Sequence, residues 1–190
     1  MEEANLISAL KQGDEAAFKQ LIELYKDRVY NTCLGFLGNV EDGEDITQEV
    51  FIEAFHSINN FRGDAKLTTW LYRIASTKSL EHIRKQKRKK SWSLIQGTFT
   101  INDEDVGNKK AAFEHPGIKL ENKERAAVLY KAIDKLPDHQ RTAFTLHKIE
   151  DLSYKEIAEI MNVSLSSIES LMFRAKKNLQ KYLTNYYKNT

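Results

Sequence analysis

The sequence predicts an all-α protein made of two helical domains and a linker, and three observations support this prediction. Glycine and proline are scarce, with 8 and 2 occurrences in 190 residues, whereas Leu, Lys, Glu, Ala and Ile are frequent. Such a composition favours helices over strands and turns. Apolar residues recur at helical spacing in two long stretches. The stretch between them loses this spacing, so we expect domains at residues 1–90 and 119–190.

The first domain contains two amphipathic stripes that predict helices with buried faces. One stripe consists of Phe18, Leu21, Ile22, Tyr25 and Val29, and the other consists of Ile46, Val50, Ala54, Phe55 and Ile58. The segment from Asn39 to Asp42 precedes the second stripe. An acceptor side chain followed by carboxylates is typical of a helix start, because both satisfy or stabilise the first-turn N–H groups.

The linker is predicted at residues 91–118. This segment gains Gly, Asn and Asp and contains the dipeptide Pro116-Gly117, all of which favour turns and loops. A stretch of this length without regular structure is unusual inside a compact domain. We therefore place the domain boundary there.

The second domain begins with a helical pattern from Leu120 to Leu136. Pro137 suits the first position of the next helix, where its missing N–H is not needed, and the pattern continues to Ile149. Ser153 and Glu156 have the spacing of a capping box, which predicts the start of a short helix.

A helix-turn-helix motif is predicted after this cap. Asn162-Val163 breaks the short helix, and Ser164 can cap a longer one. The predicted buried line of the longer helix consists of Ile168, Leu171, Ala175 and Leu179. A short helix, a tight turn and a longer helix together make the motif.

The solvent side of the longer helix has the chemistry of a DNA-reading surface. Short hydrogen-bonding side chains come first and cations follow, in the order Ser166, Ser167, Glu169, Ser170, Phe173, Arg174 and Lys177. Such a face can contact base edges and phosphates in a major groove. Glu169 argues mildly against indiscriminate phosphate binding. A helical hairpin with only a structural role remains the alternative.

Charge is strongly segregated although the net charge is only +2. The acidic run comprises Glu41, Asp42, Glu44, Asp45, Glu49 and Glu53, and the basic run comprises Arg84, Lys85, Lys87, Arg88, Lys89 and Lys90. Opposite charge on neighbouring elements suits two different partners. The basic run is a natural phosphate contact, or alternatively an ordinary cationic helix end.

One face of the acidic helix predicts a docking surface. Asp45, Gln48, Glu49 and Ile52 lie at positions i, i+3, i+4 and i+7 and therefore share a face opposite the core stripe. Carboxylates, an amide and an exposed aliphatic side chain together suit a basic protein element. A merely solvated helix face remains the alternative.

The stretch FRGDAKLTTWLYRI, residues 61–74, combines a glycine turn with a helix that carries Trp70 and Arg73 on one face. The turn presents Arg62, Asp64 and Lys66. Aromatic planes among cations suit unstacked bases, at roughly 1 to 3 kcal/mol per stack, which points to single-stranded DNA. Taken alone, the stretch favours an aromatic side chain in the core.

Other classes of protein are disfavoured. A lone Cys33 allows neither an internal disulfide nor a zinc cluster of the C-x-x-C type. The five histidines lack the HExxH spacing, and no phosphate-binding glycine motif is present, so we expect neither an enzyme nor a cofactor. The opening MEEANLIS does not resemble a signal peptide, and no apolar run approaches the roughly 18 residues of a membrane span. We expect a cytosolic protein.

Three segments together, DGEDITQEVFIEAF, FRGDAKLTTWLYRIA and LSYKEIAEIMNVSLSSIESLMFRAKKNL, resemble bacterial sigma factors of the extracytoplasmic function group in order and separation. The resemblance implies core RNA polymerase as a partner, through the clamp helices of its β′ subunit and the flap of its β subunit. Its implied polymerase-binding residues are Asp45, Gln48, Glu49 and Ile52.

The same resemblance implies two promoter contacts. The implied minus-ten residues, which capture the melted strand, are Arg62, Gly63, Asp64, Lys66, Thr69, Trp70, Arg73, Arg84 and Arg88. The implied minus-thirty-five residues are Ser166, Ser167, Ser170, Phe173, Arg174 and Lys177. The linker would thread the polymerase interior, and an anti-sigma protein is an implied inhibitor. The alternatives are a dimeric duplex-binding regulator and a helical adaptor.

Overall fold

The computed structural model describes residues 3–95 and 120–188, and the regular structure within these ranges is entirely helical. These residues form eight α-helices and one 3₁₀ turn at Ile58–Asn60. The helices are α1 (Glu3–Lys11), α2 (Glu15–Leu37), α3 (Val40–Ser57), α4 (Leu67–Ile95), α5 (Leu120–Ile133), α6 (Asp138–Lys148), α7 (Tyr154–Met161) and α8 (Leu165–Lys188). The all-α prediction is confirmed.

Helix α4 continues to Ile95 and so extends into the segment predicted as the linker. No glycine or proline occurs between Leu67 and Gln96, so nothing in the local chemistry ends the helix sooner. The remainder of the predicted linker, residues 96–118, lies outside the described residues.

The helices of the N-terminal half start and stop at identifiable caps. Asp14 accepts hydrogen bonds from the backbone N–H groups of Ala16 and Ala17 at 2.8 and 3.2 Å. Gly38 ends α2 in a left-handed conformation, which glycine adopts without steric cost. Asn39 then accepts from the N–H of Asp42 at 2.8 Å, and the predicted cap of α3 is confirmed.

Helices α1 to α4 enclose one hydrophobic core. The predicted stripes supply much of it, with Leu21, Val29, Ile46, Val50, Ala54 and Ile58 all buried. The prediction was wrong for Phe55, which is 48% exposed and packs edge-on against Phe18. It lies one residue, about 100° of helix rotation, beyond Ala54 and so at the margin of the buried face.

Cys33 lies inside this core. Burial raises the pKa of its thiol to about 11. A thiol of this kind is a small apolar core residue and a poor nucleophile.

The C-terminal half packs α6, α7 and α8 around a second core. Leu146, Ile157, Ile168 and Met172 are fully buried within it. Helix α5 packs against α8 through Ala132, Ile133, Ala175 and Leu179. The predicted core residue Leu171 is only half-buried, and its neighbour Met172 is buried in the same cluster.

The capping and turn residues predicted for the helix-turn-helix are confirmed. Ser153 and Glu156 form the reciprocal capping box, and Asn162 ends α7 in the left-handed conformation with φ 53°. Ser164 accepts from the N–H of Ser167 at 3.2 Å. Pro137 precedes α6 as its cap, one residue earlier than predicted.

The two halves contact each other chiefly along two helix pairs, α2 with α6 and α4 with α7. The ring of Tyr130 on α5 also packs beside Gly38, where an added Cβ would stand 3.2 Å from it. At Gly35 the backbone of α2 comes so close to α6 that an added Cβ would stand 3.0 Å from side-chain atoms of both Thr145 and Ile149. Tyr72 of α4 is buried within the core of the C-terminal half. We call this arrangement, in which the two halves are in contact, the closed arrangement.

None of the described helices combines the length and apolar character needed to cross a membrane.

Candidate nucleic-acid and polymerase interfaces

The acidic face of α3 forms one exposed stripe. Asp45, Gln48 and Glu49 are exposed, and Ile52 is 57% exposed. The structure thus brings together all four predicted docking residues, because the opposite side of α3 is held in the core. Phe55 lies three residues beyond Ile52 and extends the apolar end of this stripe. Sequence patterning missed it because its spacing also fits the core face.

The turn before α4 depends on Gly63. Its φ is +81°, and a Cβ placed there would have no neighbour within 4 Å. Glycine is therefore required by backbone conformation and not by space. The turn leaves the side chains of Arg62, Asp64 and Lys66 exposed, as predicted.

Trp70 serves partly as a core residue and partly as a surface. One side of the indole packs on Phe61, with ring centroids 5.2 Å apart. The residue also lines a cavity of about 710 Å³ together with Arg62, Asp64 and Arg73. An aromatic plane beside two guanidinium groups is suited to a stacked base with its phosphate.

Thr69 and Tyr72 are buried, whereas Arg73 on the same helix is exposed. Thr69 is 8% exposed, which leaves its side chain little surface for DNA in this arrangement. Tyr72 faces the C-terminal half, where its hydroxyl donates to the Glu150 carboxylate at 2.9 Å.

The Glu150 carboxylate is placed in an unusual environment. One oxygen accepts from Tyr72. The other is buried and has no hydrogen bond of ordinary length among the described residues, although Thr32 lies close enough to lower the pKa of the carboxyl. Burial raises the pKa of this carboxyl, and the hydrogen bond from Tyr72 offsets part of that rise. The same burial, together with the neighbouring carboxylate, raises the pKa of Tyr72.

Arg73 links the two halves directly. Its Nη2 donates to the Glu159 carbonyl at 2.6 Å and its Nε donates to the Ile160 carbonyl at 3.0 Å. Both carbonyls belong to the last turn of α7, and that of Glu159 also accepts from the Asn162 N–H at 3.3 Å. Bonds of this kind contribute about 1 kcal/mol each, more when the donor is charged.

The basic run continues this contact. Arg84 donates through Nε and Nη2 to one Asp138 oxygen at 2.9 and 2.7 Å, and Lys87 reaches the Asp134 carbonyl at 3.4 Å. Solvent-exposed ion pairs are worth only about 0 to 1 kcal/mol. Arg88 is exposed. The basic run therefore contacts the start of α6. Because these exposed contacts are weak, its side chains can turn toward another partner at little cost in free energy.

The outer face of α8 is exposed as predicted. Ser166, Ser170, Arg174 and Lys177 are exposed, and Ser167 is half-buried. Phe173 is 70% exposed, an isolated aromatic side chain on a polar face. Arg174 donates to the Ser170 carbonyl at 3.1 Å, which holds its guanidinium along the helix surface.

Comparison with protein families identifies both halves. Residues 21–89 match the family described as Sigma-70 region 2, and residues 120–179 match the family described as Sigma-70, region 4. The two matches cover most of the chain, in the order of the two domains.

Curated proteins match over nearly the full length. The chain is 35% identical over 180 residues to the ECF RNA polymerase sigma factor SigW of Bacillus subtilis, covering 93% of this chain and 94% of SigW. It is 31% identical over 172 residues to the ECF RNA polymerase sigma-E factor of Escherichia coli K12, covering 90% of this chain and 89% of that protein.

Two solved structures share the fold. CnrH, in complex with the cytosolic domain of CnrY, superposes with a TM-score of 0.65 at 20% identity, covering 96% of this chain and 97% of CnrH. The sigma factor RpoE of Bartonella quintana, in complex with the anti-sigma factor NepR, superposes with a TM-score of 0.62 at 23% identity, covering 88% and 96% of the chains.

The two family matches, in the order of the two helical halves, agree with full-length relatives above 30% identity. The chain belongs to the sigma-70 family, in its extracytoplasmic function group, and is a transcription initiation factor rather than an enzyme.

Proposed function

We propose that the chain binds core RNA polymerase, recognises the minus-ten and minus-thirty-five promoter elements, and stabilises the melted strand. One observation carries the proposal: three surfaces of different chemistry lie on separate elements of one chain. These are the acidic face of α3, the glycine turn with the start of α4, and the outer face of α8. The phosphodiester chemistry is left to the polymerase.

The α3 face is the proposed polymerase contact. Two carboxylates and an amide beside an exposed isoleucine offer charge and apolar area to a basic helical element, which we assign to the clamp helices of the β′ subunit. The C-terminal half would contact the flap of the β subunit. Opposite charges across such a contact favour rapid and correctly oriented association.

The turn and α4 are the proposed minus-ten contact. Arg62, Asp64, Trp70 and Arg73 line one cavity, and Lys66 is exposed in the same turn. Arg84 and Arg88 lie further along the helix as proposed phosphate contacts. Unpaired bases expose the faces that an indole can stack on, whereas duplex bases do not. This arrangement favours the melted strand over the duplex.

The outer face of α8 is the proposed minus-thirty-five contact. Its first turn presents Ser166 and Ser167, and the next two turns present Ser170, Arg174 and Lys177. A second helix of a helix-turn-helix enters the major groove with its N-terminal residues on base edges. Cations later in the helix then lie near the phosphates.

We also propose control by an anti-sigma protein in the cytoplasm. The support is that both fold relatives are described in complexes, CnrH with the cytosolic domain of CnrY and RpoE with the anti-sigma factor NepR. A protein that covers the α3 face would prevent polymerase binding.

The polymerase contact is tested by charge reversal on α3. Purified chain is mixed with bacterial core RNA polymerase, and the complex is followed by size-exclusion chromatography. We expect the unmodified chain to form a complex, and a variant carrying Asp45→Lys, Gln48→Lys and Glu49→Lys to lose it. These side chains are exposed, so the helical content measured by circular dichroism is expected to stay unchanged.

A matched control carries the same change in charge elsewhere. Three exposed residues serve for this, Gln12 just after α1 and Glu23 and Asp27 on α2. Replacing all three by Lys also changes two carboxylates and one amide. This control is expected to keep the complex. Absence of a complex with the unmodified chain, or its equal loss in both variants, would contradict the proposal.

A further inference from the structure

The chain contains two tryptophans, and both lie on α4, Trp70 near its start and Trp92 near its end. We propose that Trp92 and the cations beside it form a second stacking site for single-stranded DNA, which continues the contact made at Trp70. This inference rests on the proposed function of α4 and extends its binding surface by about six helical turns.

The two indoles lie on nearly the same side of one continuous helix. Trp92 follows Trp70 by 22 residues, which is about 2200° of helix rotation and returns it to within about 40° of the starting direction. The same interval places the two residues about 33 Å apart along the helix axis. Helix α4 runs without interruption from Leu67 to Ile95, so this relation between the two side chains is maintained.

An exposed stripe on α4 joins the two indoles. Its members are three or four positions apart, and those after Trp70 are all exposed. The stripe consists of Trp70, Arg73, Thr77, Glu81, Arg84, Arg88 and Trp92. Its first part lines a cavity of about 370 Å³ that extends from Trp70 to Glu81. A strand that leaves Trp70 therefore has a surface to follow, and the Glu81 carboxylate divides this surface into two sites.

The last part of α4 has the chemistry of a single-strand contact. Lys85, Arg88, Lys89 and Trp92 lie at positions i, i+3, i+4 and i+7 and therefore share a face. All four side chains are exposed, and the exposed fraction of Trp92 is 66%. Residues 82–95 contain neither Asp nor Glu. Such a face is complementary to an anionic partner, and the indole favours one whose aromatic faces are accessible.

Unpaired DNA fits this face better than duplex DNA. Cations alone would bind either form through its phosphates. An exposed indole adds stacking, and duplex DNA hides the base faces on which an indole could stack. Arg84 and Lys87, which contact the C-terminal half, lie on an adjoining side of the helix. That contact leaves Trp92 exposed.

The test uses the complex of the chain with core polymerase and a single-stranded DNA of random sequence that contains 5-iodouracil. Because 33 Å corresponds to roughly ten nucleotides at the stacked spacing of about 3.4 Å, a strand of about 20 nucleotides can reach both sites. Ultraviolet irradiation joins 5-iodouracil to side chains that its ring contacts. Trypsin releases Trp70 within residues 67–73 and Trp92 within residues 91–109, so mass spectrometry reports each site separately.

We expect cross-links in both peptides. Trp92→Ala is expected to lose the cross-link in residues 91–109 and to weaken binding by about fivefold or more, the contribution of one stacked base. Trp92→Phe is expected to retain most of the affinity, because it keeps an aromatic face. Fluorescence anisotropy measures the affinity, with core polymerase alone as the reference.

The matched control is Leu24→Ala, which removes an apolar side chain that is 56% exposed on α2. This variant is expected to match the unmodified chain in affinity and in both cross-links. The cross-link in residues 67–73 is expected to remain in every variant, since none of them changes the site at Trp70.

Three results would overturn the inference. A cross-link in residues 67–73 without one in residues 91–109 would remove the second site and leave the proposed function of α4 intact. Absence of both cross-links would count against the proposed function as well. An equally large loss of affinity for duplex DNA in Trp92→Ala would show that this face follows phosphates and not unpaired bases.

Discussion

Two glycines have a left-handed backbone conformation, and only one of them lies beside the proposed DNA-binding surface. Gly13 and Gly63 have φ values of +77° and +81°, and a Cβ at either position would have no neighbour within 4 Å. Both positions therefore require glycine for the same conformational reason. Gly13 lies in the connection between α1 and α2, and Gly63 lies in the turn beside Trp70 and Arg73.

The same substitution at these two glycines is expected to have different effects on DNA binding. We expect Gly63→Ala and Gly13→Ala to lower the free energy of unfolding by a similar amount, about 1 to 2 kcal/mol, because each places a side chain in the left-handed region. Only Gly63→Ala is expected to weaken binding of single-stranded DNA to the complex with core polymerase, since it displaces Arg62 and Asp64. Chemical denaturation and fluorescence anisotropy measure the two quantities.

A contrary result is equally clear. Equal DNA affinity for the two variants, at equal loss of stability, would show that the turn before α4 makes no contact with the strand.

Element boundaries were predictable wherever the signal is local. The cap at Asn39, the capping box of Ser153 and Glu156, and the turn at Asn162 each involve side chains within a few residues of the backbone groups that they satisfy. Such chemistry is visible in the sequence because it does not depend on the rest of the fold.

Burial at the margin of a helix face was not predictable in the same way. Phe55 fits the core spacing of α3 and is nevertheless exposed, whereas Met172 is buried in place of Leu171. Which of two neighbouring positions is covered depends on where a second helix packs, and periodicity does not contain that information. The docking face of α3, by contrast, lies directly opposite the core, so its exposure followed from spacing alone.

Two neighbouring lysines on different sides of α8 are expected to differ in their contribution to DNA binding. Lys177 lies on the outer face, while its neighbour Lys176 lines the groove that contains Leu129 and Leu179. Each phosphate contact contributes roughly 0.9 to the slope of log affinity against log salt. We expect Lys177→Ala to lower this slope by about that amount for promoter duplex bound to the polymerase complex, and Lys176→Ala to leave it unchanged.

The measurement is a salt titration of duplex affinity for both variants. Identical slopes for the two lysine variants and the unmodified chain would contradict the assignment of the outer face of α8 to the phosphate backbone.

The packing of the two halves against each other could not be predicted from the sequence. Arg73 and its acceptors on α7 are separated by 86 and 87 residues, and no local pattern relates them. The aromatic and cationic character of residues 61–74 suggested a binding surface, and that chemistry is present. That the same arginine also holds the two halves together emerged only from the packing of α4 on α7.

Burial of Glu150 predicts that the contact between the two halves depends on pH. Its pKa is raised by burial in the closed arrangement, whereas an open chain exposes the carboxyl and restores its ordinary value. The closed state therefore binds the proton more tightly. Ionised Glu150 opposes closure at neutral pH, and this opposition is lost as the pH falls through the raised pKa. The charged and polar groups around it are Arg28, Thr32, Cys33, Tyr72 and Asp151.

We expect mild acidification to shift the unmodified chain toward the compact state in small-angle scattering. Glu150→Gln keeps an acceptor for Tyr72 but cannot ionise, so this variant is expected to be compact at neutral pH and to show a weaker pH dependence. Expansion of the unmodified chain on acidification, or an unchanged response in Glu150→Gln, would contradict the role given to this carboxyl.

The proposed function requires that this chain direct core polymerase to two promoter elements and hold one of them open. The most direct measurement is selection of DNA from a random duplex library by the complex of the chain with core polymerase, followed by permanganate probing of the selected DNA. We expect two enriched sequence blocks at a fixed separation, with reactive thymines only in or beside the downstream block. A single palindromic block without reactive thymines, selected equally well without polymerase, would contradict the proposed function and indicate a dimeric duplex-binding regulator.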